Sequence, residues 1–268
     1  MSLWFWAGLY AFIAFQISAL VTTVYLHRGV THRALILHPA AELPMRFHLW
    51  LFTGIVTREW VAVHRKHHHF TDETGDPHSP LLEGLWQILA GNPLYYRRAA
   101  NDRDNIRSYA RDIPERWYDR WLLDRGGWGV VCGLALTVAV LSVLGAPLWT
   151  AAWLGLATYL GQAVLYIGAN ALINGACHYL GYRNFDNTAT NLRWVAWLSA
   201  GEGLHNNHHQ YPSAGKLSLR RSEVDLAWPF IRLLQLLRLA RVKELPRAFL
   251  ADQERLSASV PVSAELKP

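Results

Sequence analysis

"GGWGVVCGLALTVAVLSVLGAPLWTAAWLGLATYLGQAVLYIGANALINGACHYLGY", residues 126–182, contains no Asp, Glu, Lys or Arg. At about 1.5 Å per helical residue, a run of this length crosses a hydrocarbon layer of about 30 Å twice. Its "GAP" at Gly145–Pro147 is the natural turn, because proline opposes a continuing helix and glycine relaxes the chain. The stretch therefore predicts a helical hairpin, about 128–144 out and 148–173 back. "LWFWAGLYAFIAFQISALVTTVYL", residues 3–26, is also uncharged and supplies one further span. It lacks a basic start and a cleavage site, and it reads as a retained anchor rather than a signal peptide.

Only 17% of the chain is charged, against about 25% in soluble domains, and the deficit is uneven. All 26 basic and 20 acidic residues fall in two blocks, 27–125 and 183–268. The predicted fold is all-α: an integral membrane protein with about three transmembrane helices, interfacial helices and a cytoplasmic histidine-rich cap. Residues 1–257 form one domain, and 258–268 are expected to be a disordered tail. The net charge of +6 marks the cytoplasmic side of the spans rather than a nucleic-acid partner. Cys132 and Cys177 lie in apolar segments without CxxC spacing and read as buried free thiols. "FIRLLQLLRLARV", residues 230–242, carries Arg232, Gln235, Arg238 and Arg241 at three-residue spacing. It is expected to form one helix, either lying on the membrane surface or packed on the cytoplasmic cap.

Histidine is clustered. "HRGVTHR" holds His27 and His32 just after the first span, and "HRKHHH" holds His64, His67, His68 and His69. "NGACH" holds Asn174 and His178, and "GEGLHNNHHQYP" holds His205, His208 and His209. Spacings of three to five let imidazoles on one helical face, or on a helix end and its loop, converge. Neutral imidazole is a common nitrogen ligand for Fe, Zn or Cu. Each cluster also has an ordinary reading: interfacial histidines at 27 and 32, a solvated loop at 64–69, an interhelical hydrogen-bond pair at Asn174 and His178. A shared site is favoured because all the clusters lie at the charged ends of apolar segments. That constrains residues 43–62, which are apolar yet carry Arg46, His48, Arg58 and Glu59. His27 and His32 precede this segment and His64, His67 and His68 follow it, so an even number of crossings separates them. One segment of that length cannot cross twice, and it is therefore expected to stay at the interface.

"HRGVTHR" resembles the HxxxxH box of the membrane-bound fatty acyl desaturases, and "HRKHH" and "HNNHH" resemble their two HxxHH boxes. "NGACH" is similar to the NxxxH element that stearoyl-CoA-type members place between the second and third boxes. The order agrees over residues 20–215, and "GEGLHNNHHQYP" with "GDPHSP" favours the acyl Δ9 branch. The resemblance implies metal ligands at His27, His32, His64, His67, His68, His178, His205, His208 and His209, with Asn174 reaching one metal through a water. It also implies two Fe ions, with zinc substituting on overexpression, and O₂ as co-substrate. His69 lies one position beyond its box and is expected at the surface or behind a ligand. His38, His48 and His78 match no ligand position. Glu202 either orients a ligand imidazole or is a solvated loop acid. Tyr25 and Trp60 either line an acyl tunnel or anchor the interface.

One span precedes the first box where relatives of this architecture usually have a helix pair, which leaves the N-terminus outside and three crossings. No counterpart of a fused cytochrome b5 domain is seen, so electrons are expected from a separate ferredoxin, rubredoxin or cytochrome b5 type of donor. The expected location is the bacterial inner membrane, with the active site facing the cytoplasm.

Ten donors exceed the four that close a structural zinc site, and two redox metals suit the count. An unactivated methylene has no useful acidity, so acid–base residues alone cannot break its C–H bond; a metal cofactor supplies that step. The expected reaction is insertion of a cis double bond, at Δ9, into a saturated chain carried by CoA, acyl-carrier protein or a glycerolipid. Arg58, Lys66, Arg97 and Arg98 either meet the carrier's phosphates or are ordinary positive-inside charge. The rivals are a hydroxylase or oxidative decarboxylase of the same superfamily and a metal transporter or sensor. The spans offer a transporter few polar groups before Asn170 and Asn174.

Overall fold

The computed structural model describes residues 2–258; apart from Ala258, the tail expected to be disordered lies outside the described residues. Helix α1 (Leu3–Val21) is capped by Ser2, whose side chain accepts the backbone N–H of Phe5. It runs on without a break into wider π-helical turns over Thr22–Thr31. Strand β1 (Leu35–Leu37) leads to α2 (Pro39–Thr53), capped by His38, whose Nδ1 accepts from Ala40 N–H. Helices α3 (Thr57–Phe70), α4 (Pro80–Glu83), α5 (Leu85–Ala100) and α6 (Arg103–Tyr109) follow. Helices α7 (Gly126–Val143) and α8 (Leu148–Asn174) form the expected hairpin, turning at Gly145 with φ +96°. The cap is completed by α9 (Arg193–Leu198), α10 (His205–Gln210), α11 (Ala227–Leu236), strand β2 (Ala240–Val242) and α12 (Arg247–Ala258).

Among the described residues, three helical stretches are long and apolar enough to cross a membrane: Leu3–Thr31, Gly126–Val143 and Leu148–His178. Their outer faces leave Phe12, Ile17, Val131, Val143, Trp149 and Val164 exposed, which is a lipid-facing pattern. Residues 43–62 form no candidate span. The α2 helix has 15 residues, about 22 Å at 1.5 Å per residue, and then breaks at Gly54 in the left-handed region (φ +64°). Its Arg46 is buried and paired with Asp119 and Glu42.

Small residues and polar side chains dock α2 onto the hairpin. A Cβ added at Gly126, Gly129 or Gly133 of α7 would lie 2.0 Å from the carbonyl oxygen of Gly54, Trp50 or Leu51. Backbone therefore meets backbone there, as small residues permit between helices in lipid. The last carbonyls of α2 need partners outside the helix. Tyr159 of α8 donates to Leu51 O (2.6 Å) and Gln162 to Phe52 O (2.9 Å).

Two expectations are corrected. The helix foreseen over 230–242 stops at Leu236, where Arg238 takes φ +58°. Residues 240–242 instead pair antiparallel with β1, Leu35 opposite Val242. The segment after the first histidine box offers unpaired backbone groups, and that pairing outweighs the local helical pattern. Cys177 is a buried free thiol as expected, but Cys132 is exposed on α7.

Gly129→Val and Gly133→Val are expected to force α2 and α7 apart. Overpacking of this kind costs about 1–3 kcal/mol or more, read as a lower Tm in detergent. Gly161→Ala and Gly168→Ala, where an added Cβ meets nothing within 4 Å, should leave Tm unchanged or raised. Equal losses at all four positions would refute the close approach.

Candidate metal centre

The π-helical turns explain the five-residue spacing of the first box. In an α-helix five residues rotate by about 500°, leaving side chains about 140° apart. Hydrogen bonds from i to i+5 widen the turn: His32 N–H donates to His27 O at 3.1 Å. Both imidazoles thus return to one face. On α3 and α10 the spacing is three and four, which an ordinary helix brings together.

The nine histidines converge as two neighbouring groups. His27, His32, His64, His68 and His208 form one, and His67, His178, His205 and His209 the other, with one ring nitrogen of each within 4.8 Å of the rest of its group. Helix α3 sends His64 and His68 to the first and His67 to the second; α10 sends His208 to the first and His205 and His209 to the second.

Nitrogens face nitrogens throughout. The Nε2 of His208 lies 3.0 Å from that of His27 and 2.9 Å from that of His68. The Nε2 of His64 lies 3.1 Å from that of His32 and 3.0 Å from that of His68. In the second group, His209 Nε2 is 3.3 Å from His67 and 3.1 Å from His205. One proton can bridge one such pair, so it cannot serve a nitrogen with two such neighbours; a shared cation can. Metal–nitrogen bonds of about 2.1 Å put neighbouring donors about 3.0 Å apart at right angles and about 3.4 Å apart in a tetrahedron. The observed spacing fits a metal, nearer the right-angled case. His178 Nε2 is buried without a hydrogen-bond partner among the described residues, as an unfilled ligand atom would be.

Carboxylates set the tautomers behind three of these rings. His67 Nδ1 donates to Asp76 (3.0 and 3.1 Å), His178 Nδ1 to Asp72 (2.8 Å), and His27 Nδ1 lies 2.7 Å from Glu202. A carboxylate only accepts, so Nδ1 carries the proton and Nε2 turns its lone pair inward. Burial raises these acids' pKa values, yet the imidazole contacts win and hold Asp72, Asp76 and Glu202 below the usual range. Burial, then the neighbouring imidazoles, lowers His32, His64, His68, His205, His208 and His209. They are neutral, as ligands must be.

Support for α10 comes from the residues between its histidines. Asn206 donates to Phe185 O and Ala189 O (both 3.0 Å), and Asn207 to Leu217 O (3.0 Å) and Glu223 (2.9 Å). Both point away from the imidazoles and pin the helix to its loops. Arg28, 1% exposed, makes two 2.9 Å bonds to Asp225 and donates to Gly215 O at 3.0 Å. It ties the first box to the segment after the third.

A cavity of about 520 Å³ adjoins the first group, with His64, His78, Asn174 and Trp60 in its wall. Trp60 stacks on His64 (centroids 4.9 Å apart). Tyr25 does not line this cavity; its hydroxyl sits 3.1 Å from Thr57 Oγ1. His69 is exposed against Phe70, His38 caps α2, and His48 bonds to Ser18 (3.0 Å). His78, which matches no ligand position of the boxes, is buried, stacks on His67 at 4.7 Å and forms a third small group with His67 and Asp76. Sequence reasoning missed Asp72, Asp76 and Arg28. The acids directly behind the second box, in "TDETGDPHSP", were the signal for two of them.

Over residues 2–243 the chain matches the sequence model for fatty acid desaturases. It is 33% identical over 249 residues to the Delta-9 desaturase-like 3 protein of Arabidopsis thaliana, covering 88% of this chain and 79% of that protein. It is 28% identical to Delta-9 acyl-lipid desaturase 2 of Arabidopsis thaliana, over 90% of this chain and 76% of that one. It is 37% identical to the sn-2 palmitoyl-lipid 9-desaturase of Nostoc sp. (strain 36), over 68% of this chain and 61% of that one.

Asp72→Asn and Asp76→Asn remove the acceptor that orients a ring, and changes of this type weaken bound metal about 10–100-fold. Metal content of the purified variants under limiting metal should fall accordingly, while His69→Ala retains it. Full metal content in both aspartate variants would sink the orienting role.

Proposed function

This chain belongs to the fatty acid desaturase family, and from that premise we propose that it inserts a cis double bond at position 9 of a saturated acyl chain, using two irons and O₂. The observation that carries the reading is the pairing of two inward-facing imidazole groups with a cavity whose wall includes His64 and Asn174. Cavities of this size suit ligands of several hundred Å³.

His27, His32, His64, His68 and His208 would hold one iron; His67, His178, His205 and His209 would hold the other, with Asn174 contributing through a water. When bound, the irons supply with O₂ the oxidising power to remove hydrogen from an unactivated methylene. The chain's own residues do the rest. Asp72, Asp76 and Glu202 keep the rings aligned, Trp60 forms cavity wall against His64, and the cavity presents one stretch of acyl chain to them.

The names of the relatives support a glycerolipid-linked acyl chain and position 9. Electrons would come from a separate carrier docking on the basic cytoplasmic face. The imidazole groups would face the cytoplasm of a bacterial inner membrane, in keeping with the positive-inside rule.

Expression in a heterologous host with a ferredoxin-type donor should raise cis-monounsaturated C16 or C18 chains, with the double bond mapped to position 9 by derivatised mass spectrometry. His208→Ala should abolish them. A hydroxy acid or terminal alkene as sole product would assign the chain to another reaction of the superfamily.

A further inference from the structure

The 520 Å³ cavity carries polar atoms that the metal centre does not explain. Asn92, on α5, is 5% exposed and lines it, and its Nδ2 has no hydrogen-bond partner among the described residues. One helical turn on, Tyr96 lines the same cavity, and its Oη is likewise buried and unpartnered. Positions i and i+4 share a helix face, so both groups belong to one patch of wall. A buried donor left unsatisfied is unfavourable. Two on one helix face, in a ligand-sized cavity, call for an acceptor supplied from outside the chain.

The surroundings narrow that acceptor. Glu59 and Arg97 also line the cavity, one acid and one base. Asn92 and Tyr96 are neutral donors suited to an uncharged oxygen. A saturated acyl chain has one such group, the carbonyl by which it is linked to its carrier.

We propose that Asn92 Nδ2 and Tyr96 Oη seat the carbonyl oxygen of an ester- or thioester-linked acyl chain, fixing how far the chain runs past the imidazoles. The inference rests on the acyl-chain reading above and adds the residues that select a linked chain over a free acid. Sequence reasoning passed over both, because an Asn-Pro and a tyrosine on an interfacial helix have no motif.

The test is equilibrium binding to the detergent-purified, metal-loaded protein. Tritiated palmitoyl-CoA, palmitoyl lysophosphatidylcholine and free palmitate serve as probes. The wild type should bind a linked chain at least tenfold tighter than palmitate; preference for the thioester or for the oxygen ester then identifies the carrier. Tyr96→Phe, which keeps the ring, and Asn92→Leu should each weaken linked-chain binding about tenfold. Both should leave palmitate binding and metal content unchanged. In the active enzyme both should scatter the double bond over neighbouring positions, which a merely structural defect would not do. Wild-type affinity and an unscattered product in both variants would overturn the carbonyl seat. Failure of the wild type to bind any of the three probes would instead overturn the acyl-chain reading.

Discussion

Nine imidazoles must be turned so that their Nε2 atoms meet in two groups, and the rest of the structure serves that constraint. Left alone, such an assembly is unfavourable: lone pairs face one another out of water, and a ring can rotate or switch tautomer to escape. Asp72, Asp76 and Glu202 prevent this for three rings by holding the Nδ1 proton. The side chains of those acids are themselves almost completely buried, which makes each imidazole–carboxylate contact a fixed strut. The second histidine box and the acids behind it thus act as one unit, with His67 and His178 drawn together from distant parts of the chain.

The strut system needs a frame. On one side Arg28, within the first box, reaches Asp225 and Gly215 and so closes the site over the third box. On another, Asn206 and Asn207 fill the gap between His205 and His208 with bonds directed outward. An apolar residue at 206 would take a donor from the Phe185 and Ala189 carbonyls, and one at 207 would take a donor from Leu217 O and Glu223. The HNNHH spacing is therefore both a ligand pattern and a hydrogen-bond pattern, the two halves of the helix facing opposite ways.

Membrane architecture sets the distance from the imidazoles to the cavity. The glycines of α7 admit the backbone of α2, and Tyr159 and Gln162 close its C-terminal carbonyls. Helix α2 then stops at Gly54, beside the cavity, and α3 starts with Glu59 and Trp60 already in the wall. Because α2 turns back rather than crossing, the first and second boxes stay on one side. Helices α5, α7 and α8 complete the cavity wall, with Asn92 and Tyr96 on α5.

Much of this was determined by sequence alone. The absence of charge over 126–182 requires a membrane hairpin whatever its neighbours, because no other environment suits so long an apolar run. The three- and four-residue spacings of the second and third boxes placed their histidines on common helix faces, and the position of residues 43–62 between two boxes denied that segment a crossing. These are local or topological arguments, and they need no coordinates. Helix periodicity already turns His67 away from His64 and His68, but tertiary structure alone decided which histidines of the other segments join each side to make groups of five and four. It also decided the partners of Nδ1, the inward position of His78, and the pairing of residues 240–242 with β1 in place of a longer helix. Each depends on which distant segment arrives within about 3 Å of a polar atom, and a linear pattern of residue types does not encode that distance.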